Sequence, residues 1–364
     1  MTGAPLALAP GSDHATATHR ATSFLTNVWY MAAWSGEVTE KLLRRRLFGV
    51  PIVLFRLENG GIGALVDRCP HRFAPLSRGD RQGDSIRCGY HGLTFNASGT
   101  CVHNPFGDRI PPGAQVRSFP TYERDGIVWL WAGKAERADS AAVPHFDIVR
   151  GASGAPPITG YMRMNANYEF GTDNLMDLSH IEFVHRGSFA GAGVIFAGTH
   201  EVRENEGTLH SNWWMPGVAA PGHTYGIYPR DMITDHWLDM RWQAPASMHL
   251  EIGATPPGAP REQGVIVQQA HILTPETESM SHYFWATTRP AGPTTAEGDA
   301  SLKALMSQAF DVEDKPMIEA AYENLEGVDF WDQKPVFLGV DAGGARARRT
   351  LQRMLARERS ESGQ

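Results

Sequence analysis

The chain has 364 residues, of which 42% are apolar and 20% charged, with a formal net charge of −7. That length allows two domains and a large buried core, and the acidic balance excludes a global basic field of the kind that holds nucleic acid. No apolar run approaches the roughly 20 residues that span a bilayer, and the cysteine count of three is odd and too small for a disulfide scaffold, which points to a reducing cytoplasm.

Met1 to His19 is rich in Ala, Thr, Pro and Gly and lacks the basic and apolar regions of a signal peptide, so residues 1–24 are expected to form a disordered tail. The folded part opens at Asn27-Val-Trp29-Tyr30. Strand-length runs follow at Arg46–Gly49, Pro51–Phe55, Ile62–Val66, Ser85–Arg87, Leu93–Phe95 and Gly126–Trp131, with Asn59-Gly60-Gly61 as a hairpin signal. Close strand spacing and frequent Gly and Pro mark a small all-β domain, set here at 25–150. Arg44-Arg45-Arg46 reads as a solvated turn or as a docking patch for an acidic electron donor.

Residues 133–157 lose apolar periodicity and form the junction to a second domain, 151–364. Its longer strand-like runs, Leu209–Met215, Met240–Trp242, Ser247–Ile252, Val265–Ile272 and His282–Arg289, suit an antiparallel sheet. Helical spacing covers Ala300–Leu325 and Ala345–Arg357, where Leu351, Met354 and Leu355 share one side among arginines. The fold class is therefore α+β: an all-β domain followed by an antiparallel sheet with helices laid over it.

Two groups of residues carry chemistry. Cys69-Pro70-His71 and Cys88-Gly89-Tyr90-His91 are separated by sixteen residues, Arg72 to Arg87. Zinc fingers usually group Cys with Cys and His with His. Here each loop supplies one thiolate and one imidazole, which suits a 2Fe–2S cluster with both sulfurs on one iron and both nitrogens on the other. Structural zinc, or satisfied core Cys and His, are the alternatives. Cys101 fits no ligand slot and reads as a small buried hydrophobe.

The second group is Asn174-Leu-Met-Asp177-Leu-Ser-His180-Ile-Glu-Phe-Val-His185. As one helix it places Asn174, Asp177 and His180 on a common face. His185 then lies about 140° round from His180. For both imidazoles to reach one ion, the helix must end or loosen near Val184, through a π-type turn or otherwise. Imidazole pairs of this kind hold iron, zinc or copper.

The Cys/His loops match the Rieske signature in type, order and spacing. With N-x2-D-x2-H-x4-H downstream, the chain from about Asn27 to Arg353 resembles the oxygenase component of Rieske non-heme iron oxygenases. The resemblance is to the short members such as vanillate and dicamba O-demethylases, through Asn167-Tyr168-Glu169, Asp173 to His180, Thr274 to Glu278 and His282 to Trp285. It implies a helix-grip, START-like catalytic domain, a Rieske 2Fe–2S cluster on Cys69, His71, Cys88 and His91, and a mononuclear Fe(II) on His180, His185 and a carboxylate. Pattern matching puts that carboxylate at Asp314, with Asp311 as the fallback. Glu313 and Glu319 are left to face solvent or touch the ligands' neighbours.

The resemblance also assigns Asp177 to an electron bridge between a Rieske histidine of one subunit and an iron histidine of the next, within a homotrimer. It places Asn174 beside the ligands. It implies electrons from NAD(P)H through a ferredoxin-type reductase, O2 as co-substrate, and hydroxylation of a small aromatic substrate. Oxidative O-demethylation of a vanillate-like methoxylated aromatic acid, releasing formaldehyde, is the main reading; N-demethylation and methyl or ring hydroxylation are the alternatives. Gly60-Gly61-Ile62-Gly63 lacks a following helix, so the chain has no nicotinamide site of its own. A Rieske electron carrier could end near residue 135, and a zinc-stabilised binding protein is a third class. Ile195, Phe196, Trp213, Trp214, Met215, Trp242 and Trp285 either line an aromatic-sized cavity or pack the core. No basic residue stands out as an anchor for a substrate carboxylate.

Overall fold

Turn chemistry and alternating burial build the first half of the chain. In the computed structural model, which describes residues 24–146, 155–189, 193–224, 226–289 and 295–362, ten strands precede residue 132. They are β1 (Trp29–Trp34), β2 (Leu43–Leu47), β3 (Val50–Arg56), β4 (Ile62–Val66), β5 (Asp80–Gln82), β6 (Ser85–Arg87), β7 (Thr94–Asn96), β8 (Cys101–His103), β9 (Thr121–Arg124) and β10 (Ile127–Trp131). The β3–β4 hairpin turns at Gly60, in the left-handed region at φ 85°, with the Asn59 side chain accepting the Gly61 N–H at 2.8 Å. The expected tail and the 150/151 boundary fall outside the described residues, except that Phe24 is buried.

The strands form three small antiparallel sheets, β1-β10-β9, β2-β3-β4 and β5-β6-β7-β8. Alternation along β3 feeds two cores at once. Ile52 and Leu54 pack with Ala32, Ala33, Val128 and Leu130 of β1 and β10. Val53 and Phe55 pack on the other side with Ile86, Phe95 and the loops carrying Cys69 and Cys88.

The second half contains β11 (Ile158–Met164), α1 (Tyr168–Met176), the single turn α2 (Ile181–Val184), β12 (Thr199–Asn205), β13 (Thr208–Ala219), β14 (Ile233–Gln243), β15 (Ser247–Thr255), β16 (Val265–Thr277) and β17 (Met280–Thr287). These strands pair antiparallel in the order β11-β17-β16-β15-β14-β13-β12. Three helices follow: α3 (Ala296–Ser307), α4 (Lys315–Glu323) and α5 (Ala342–Ser362). The expected helix over 300–325 is interrupted by a π-helical stretch, Gln308–Asp314, between α3 and α4. The C-terminal helix buries Leu351, with Met354 and Leu355 packed against the core, on the side that the sequence pattern assigned.

The large sheet is buried on both faces. Leu273, Tyr283 and Trp285 face the helices. Ile272, Phe284, Ala270 and Ala286 meet Trp29, Met31, Trp34, Trp129 and Trp131 of the first half in one shared core. Both β1-β10-β9 and the end of β2 therefore rest on the large sheet, with the cluster-loop sheet on the far side of β2-β3-β4 and the helices on the far side of the large sheet.

Polar contacts fasten the middle joint. A bulge between Met31 and Ala33 frees the Met31 carbonyl, which accepts the Thr274 hydroxyl at 2.7 Å. Phe48 N–H donates to Pro275 O at 3.0 Å, and Trp34 Nε1–H to Gly160 O at 3.0 Å. His282 Nε2–H donates to Arg46 O at 2.8 Å while its Nδ1 accepts the Tyr161 hydroxyl at 2.9 Å. The three arginines of 44–46 are not a turn: they lie in β2. Arg45 pairs with Glu37 and lies 4.3 Å from the Tyr161 ring centroid, and Arg44 Nε is 2.9 Å from Asp67 Oδ2.

Replacing Thr274 with Val removes the joint's buried hydroxyl and is expected to cost about 1–3 kcal/mol. The outcome to measure is the thermal midpoint of the whole chain, which should fall by roughly 2–4 °C per kcal/mol as one transition.

Candidate metal centres

The two Cys/His loops repeat one turn. In each, the Cys N–H donates to the carbonyl five residues on (Ala74 O at 2.9 Å, Leu93 O at 2.8 Å), and the residue four on donates back to the Cys carbonyl (Phe73 at 2.9 Å, Gly92 at 3.0 Å). That fourth residue is left-handed in both, Phe73 at φ 61° and Gly92 at φ 77°. The strain of a bulky residue there marks how firmly the first turn is imposed. The loops approach so closely that a Cβ at Gly79 would sit 2.0 Å from Arg87 O.

This packing buries Cys69 and Cys88 to 2% exposure, free of disulfides and side by side, while the His71 and His91 rings lie 4.4 Å apart. Burial, opposed by the His71 N–H and then reinforced by the Cys88 thiol, pushes the Cys69 thiol up to about 11. Two such thiols become thiolates readily only beside a cation. Among the described residues, three His, Cys or carboxylate ligand atoms converge within 4.8 Å in one place, and it is not here. The two thiols lie together and the two imidazoles lie together, which fits a 2Fe–2S cluster with both sulfurs on one iron and both nitrogens on the other. Cys101 stands apart, buried, with its Sγ 3.4 Å from His103 O.

The place of convergence is His180, His185 and Asp314. The expected continuous helix is broken at Asp177 (φ −114°, ψ 91°), and the helix that resumes ends at Val184, as expected, with His185 outside it at φ −90°, ψ 34°. Asp177 Oδ1 caps the following turn, Leu178–His180, by accepting the Ser179 N–H at 2.9 Å and hydroxyl at 2.6 Å. The single turn α2 then carries the chain to His185. The π-type turn lies instead in the facing element and ends at Asp314.

His180 Nε2 is 3.5 Å from Asp314 Oδ1, and His185 Nε2 is 3.3 Å from Asp314 Oδ2. The other ring nitrogens are engaged by acceptors: His180 Nδ1 by the Asp177 carbonyl, and His185 Nδ1 by Glu313 Oε2 at 2.8 Å. Each Nδ1 is therefore placed to donate, and in the neutral rings the Nε2 lone pair faces a buried carboxylate. A cation between the two Nε2 atoms and Asp314 would satisfy all three, so the donor set fits a divalent metal. Burial pushes the His180 imidazole below its usual value. Burial also opposes the charged form of His185, but Asp314 and Glu313 outweigh it and raise that group.

Asn174 Nδ2 donates to Asp314 Oδ1 at 3.2 Å. Asp311, the fallback, is exposed. Glu313 orients His185 and is itself held by the Ser188 hydroxyl and, at 3.3 Å, by Gln308 Nε2. Ser188 and Gln308 escaped the sequence reading, because only the i to i+5 spacing of a π turn brings 308 beside 313. Glu319 accepts the Asn165 N–H at 2.6 Å. Of the proposed cavity residues, Ile195, Trp213, Met215, Trp242 and Trp285 belong to the buried core, whereas Phe196 is 66% exposed and Trp214 stacks on Trp237.

Comparison with known proteins agrees with this geometry. The Rieske [2Fe-2S] domain family matches residues 28–120, and the vanillate O-demethylase oxygenase C-terminal domain family matches 164–357. The oxygenase component of chloroacetanilide N-alkylformylase from Rhizorhabdus wittichii is 37% identical over 332 residues, covering 90% of this chain and 95% of that one. The oxygenase component of dicamba O-demethylase from Stenotrophomonas maltophilia is 37% identical over 335 residues, covering 91% and 98%. The crystal structure of dicamba monooxygenase bound to 3,6-dichlorosalicylic acid superposes with a TM-score of 0.86 at 35% identity, covering 92% and 98%. The chain belongs to the Rieske non-heme iron oxygenases, with the vanillate O-demethylase type of catalytic domain. It is the oxygenase component of a monooxygenase, working with one 2Fe–2S cluster, one mononuclear iron, O2, and NAD(P)H electrons delivered by a reductase. Among the described residues no helix is long and apolar enough to cross a membrane.

Two substitutions test the sites separately. Gly79→Ala should force the loops apart and strip most of the cluster's visible absorbance. Glu313→Gln should leave that spectrum intact and weaken iron binding at the second site by about 10-fold or more, read by equilibrium dialysis.

Proposed function

We propose that Cys69 and Cys88 hold one cluster iron and His71 and His91 the other, and that His180, His185 and Asp314 hold the mononuclear iron. Such an iron would supply dioxygen activation. The observation that carries the reading is the convergence of His180 Nε2 and His185 Nε2 on the buried Asp314 carboxylate, with both Nδ1 atoms held by acceptors. Asn174 steadies the carboxylate, and Glu313 fixes the His185 ring.

Electron delivery supports a second copy of the chain. The cluster loops pack against β2-β3-β4, whereas the iron site lies on the helix side of the large sheet, so that sheet stands between the two sites of one chain. Head-to-tail contacts that close into a homotrimer would set one copy's His71 or His91 against the next copy's Asp177. Asp177 Oδ1 is taken by Ser179, which leaves Oδ2 for that bridge. We place the enzyme in the cytoplasm, with domains at 25–150 and 151–364 and a ferredoxin-type reductase as its partner.

The reaction is oxidative removal of an alkyl group from a heteroatom on a small aromatic substrate, with O-demethylation of a vanillate-like methoxylated acid as the main reading. Its products are a phenol and formaldehyde. One observation favours a second reading, N-dealkylation of a neutral aromatic amide. Arg348, the one buried arginine or lysine among the described residues, is committed to Asp173 at 2.7 Å and Glu169 at 3.1 Å, so a substrate carboxylate finds no free buried cation. A screen of methoxybenzoates against neutral N-alkyl anilides, with reductase, O2 and a formaldehyde readout, separates the two.

Purified enzyme should contain about three irons and two sulfides per chain; two irons alone would remove the second site. His180→Ala should keep the cluster spectrum and abolish turnover. Asp177→Ala should uncouple electron delivery from product formation, and unchanged coupling would rule out the bridge.

A further inference from the structure

The helix break at Asp177 has an anchor outside the metal site. The last residue of α1 is Met176, and the Ser211 hydroxyl, on β13, donates to its carbonyl at 3.0 Å in a buried setting. A serine hydroxyl has one proton. Having given it to Met176, Ser211 Oγ accepts from His200 Nε2–H, which lies 2.8 Å away on β12. The His200 ring is held by stacking on Trp213, with centroids 4.7 Å apart and planes 16° from parallel. From the opposite side α5 closes on the same carbonyl: a Cβ on Gly343 would sit 3.0 Å from Met176 O and 3.1 Å from Ser211 Oγ.

We infer that Ser211, oriented by His200, is a positioning residue for the mononuclear iron: it anchors the Met176 carbonyl at the end of α1, and so sets the Asp177 backbone that holds His180. The consequence runs through one peptide. Asp177 leaves the helix in extended backbone, its carbonyl turns to His180 Nδ1, and the Nε2 of that ring then faces Asp314. Without the serine hydroxyl the Met176–Asp177 peptide loses its buried anchor, and the carbonyl that orients the His180 ring is free to shift. This inference rests on the reading of His180 as an iron ligand and adds residues of β12 and β13 to its support.

The test uses the full-length enzyme with its cluster assembled, and reads Fe(II) affinity at the second site by dialysis, with cluster absorbance and thermal midpoint as controls for folding. Ser211→Ala should bind Fe(II) at least 10-fold more weakly with the cluster spectrum unchanged. His200→Phe, which keeps the stacking ring but loses the donor, should show the same direction of loss, and His200→Gln, which restores an N–H donor, should recover it. Wild-type Fe(II) affinity in Ser211→Ala overturns the inference. If Ser211→Ala does not fold, equal affinity in the two His200 variants overturns it instead. His180→Ala serves as the separate check: full iron binding in that variant would defeat the ligand assignment itself, whereas its loss alongside a normal Ser211→Ala would defeat only the positioning role.

Discussion

Two imidazole Nε2 atoms aimed at one buried carboxylate form the interaction around which the catalytic half is organised. With both rings neutral it is unfavourable, and a cation between the groups reverses its sign. The surrounding fold holds it open: Glu313 and the Asp177 carbonyl fix both rings through their far nitrogens, and Asn174 fixes the carboxylate. Metal binding there would couple to the stability of two segments far apart in sequence, 174–185 and 308–314.

Both segments depart from regular helix to achieve this. One is broken at Asp177 and the other widened into a π stretch, and neither departure would help alone. The break frees the Asp177 carbonyl to orient the His180 ring. The π stretch brings Gln308 beside Glu313, so that Glu313 and Asp314 face the two histidine rings from adjacent positions. Irregular helix at a functional site is a common use of such turns.

Much of this was legible in the chain before any coordinates. The C-x-H and C-x2-H loops announced a site split between sulfur and nitrogen, because their spacing survives any detail of packing. The strands were legible from alternation, and Asp314 from its likeness to a family pattern. What stayed hidden was set by tertiary contacts. Nothing in the 3.6-residue period of 174–185 records that Ser211 anchors the Met176 carbonyl from a strand 35 residues away. The triple arginine looked like a solvated turn because hydropathy cannot register a guanidinium lying on Tyr161 at a sheet-to-sheet joint. Gln308 and Ser188 were invisible because helical spacing does not place them beside Glu313.

The shared core between the two halves has a consequence for how such enzymes diversify. Trp29, Trp129 and Trp131 turn their outer face onto Ile272 and Phe284, so the cluster-bearing half has no finished surface of its own on that side. An exchange of modules between relatives would bring together two apolar faces shaped for other partners, leaving voids or clashes where the indoles interdigitate. Changes on the helix-facing side of the large sheet, where Leu273, Tyr283 and Trp285 lie, leave this shared core untouched, while the opposite side of the same strands is held by its neighbour. One sheet thus answers to two cores at once, and only one of them lies within its own half of the chain.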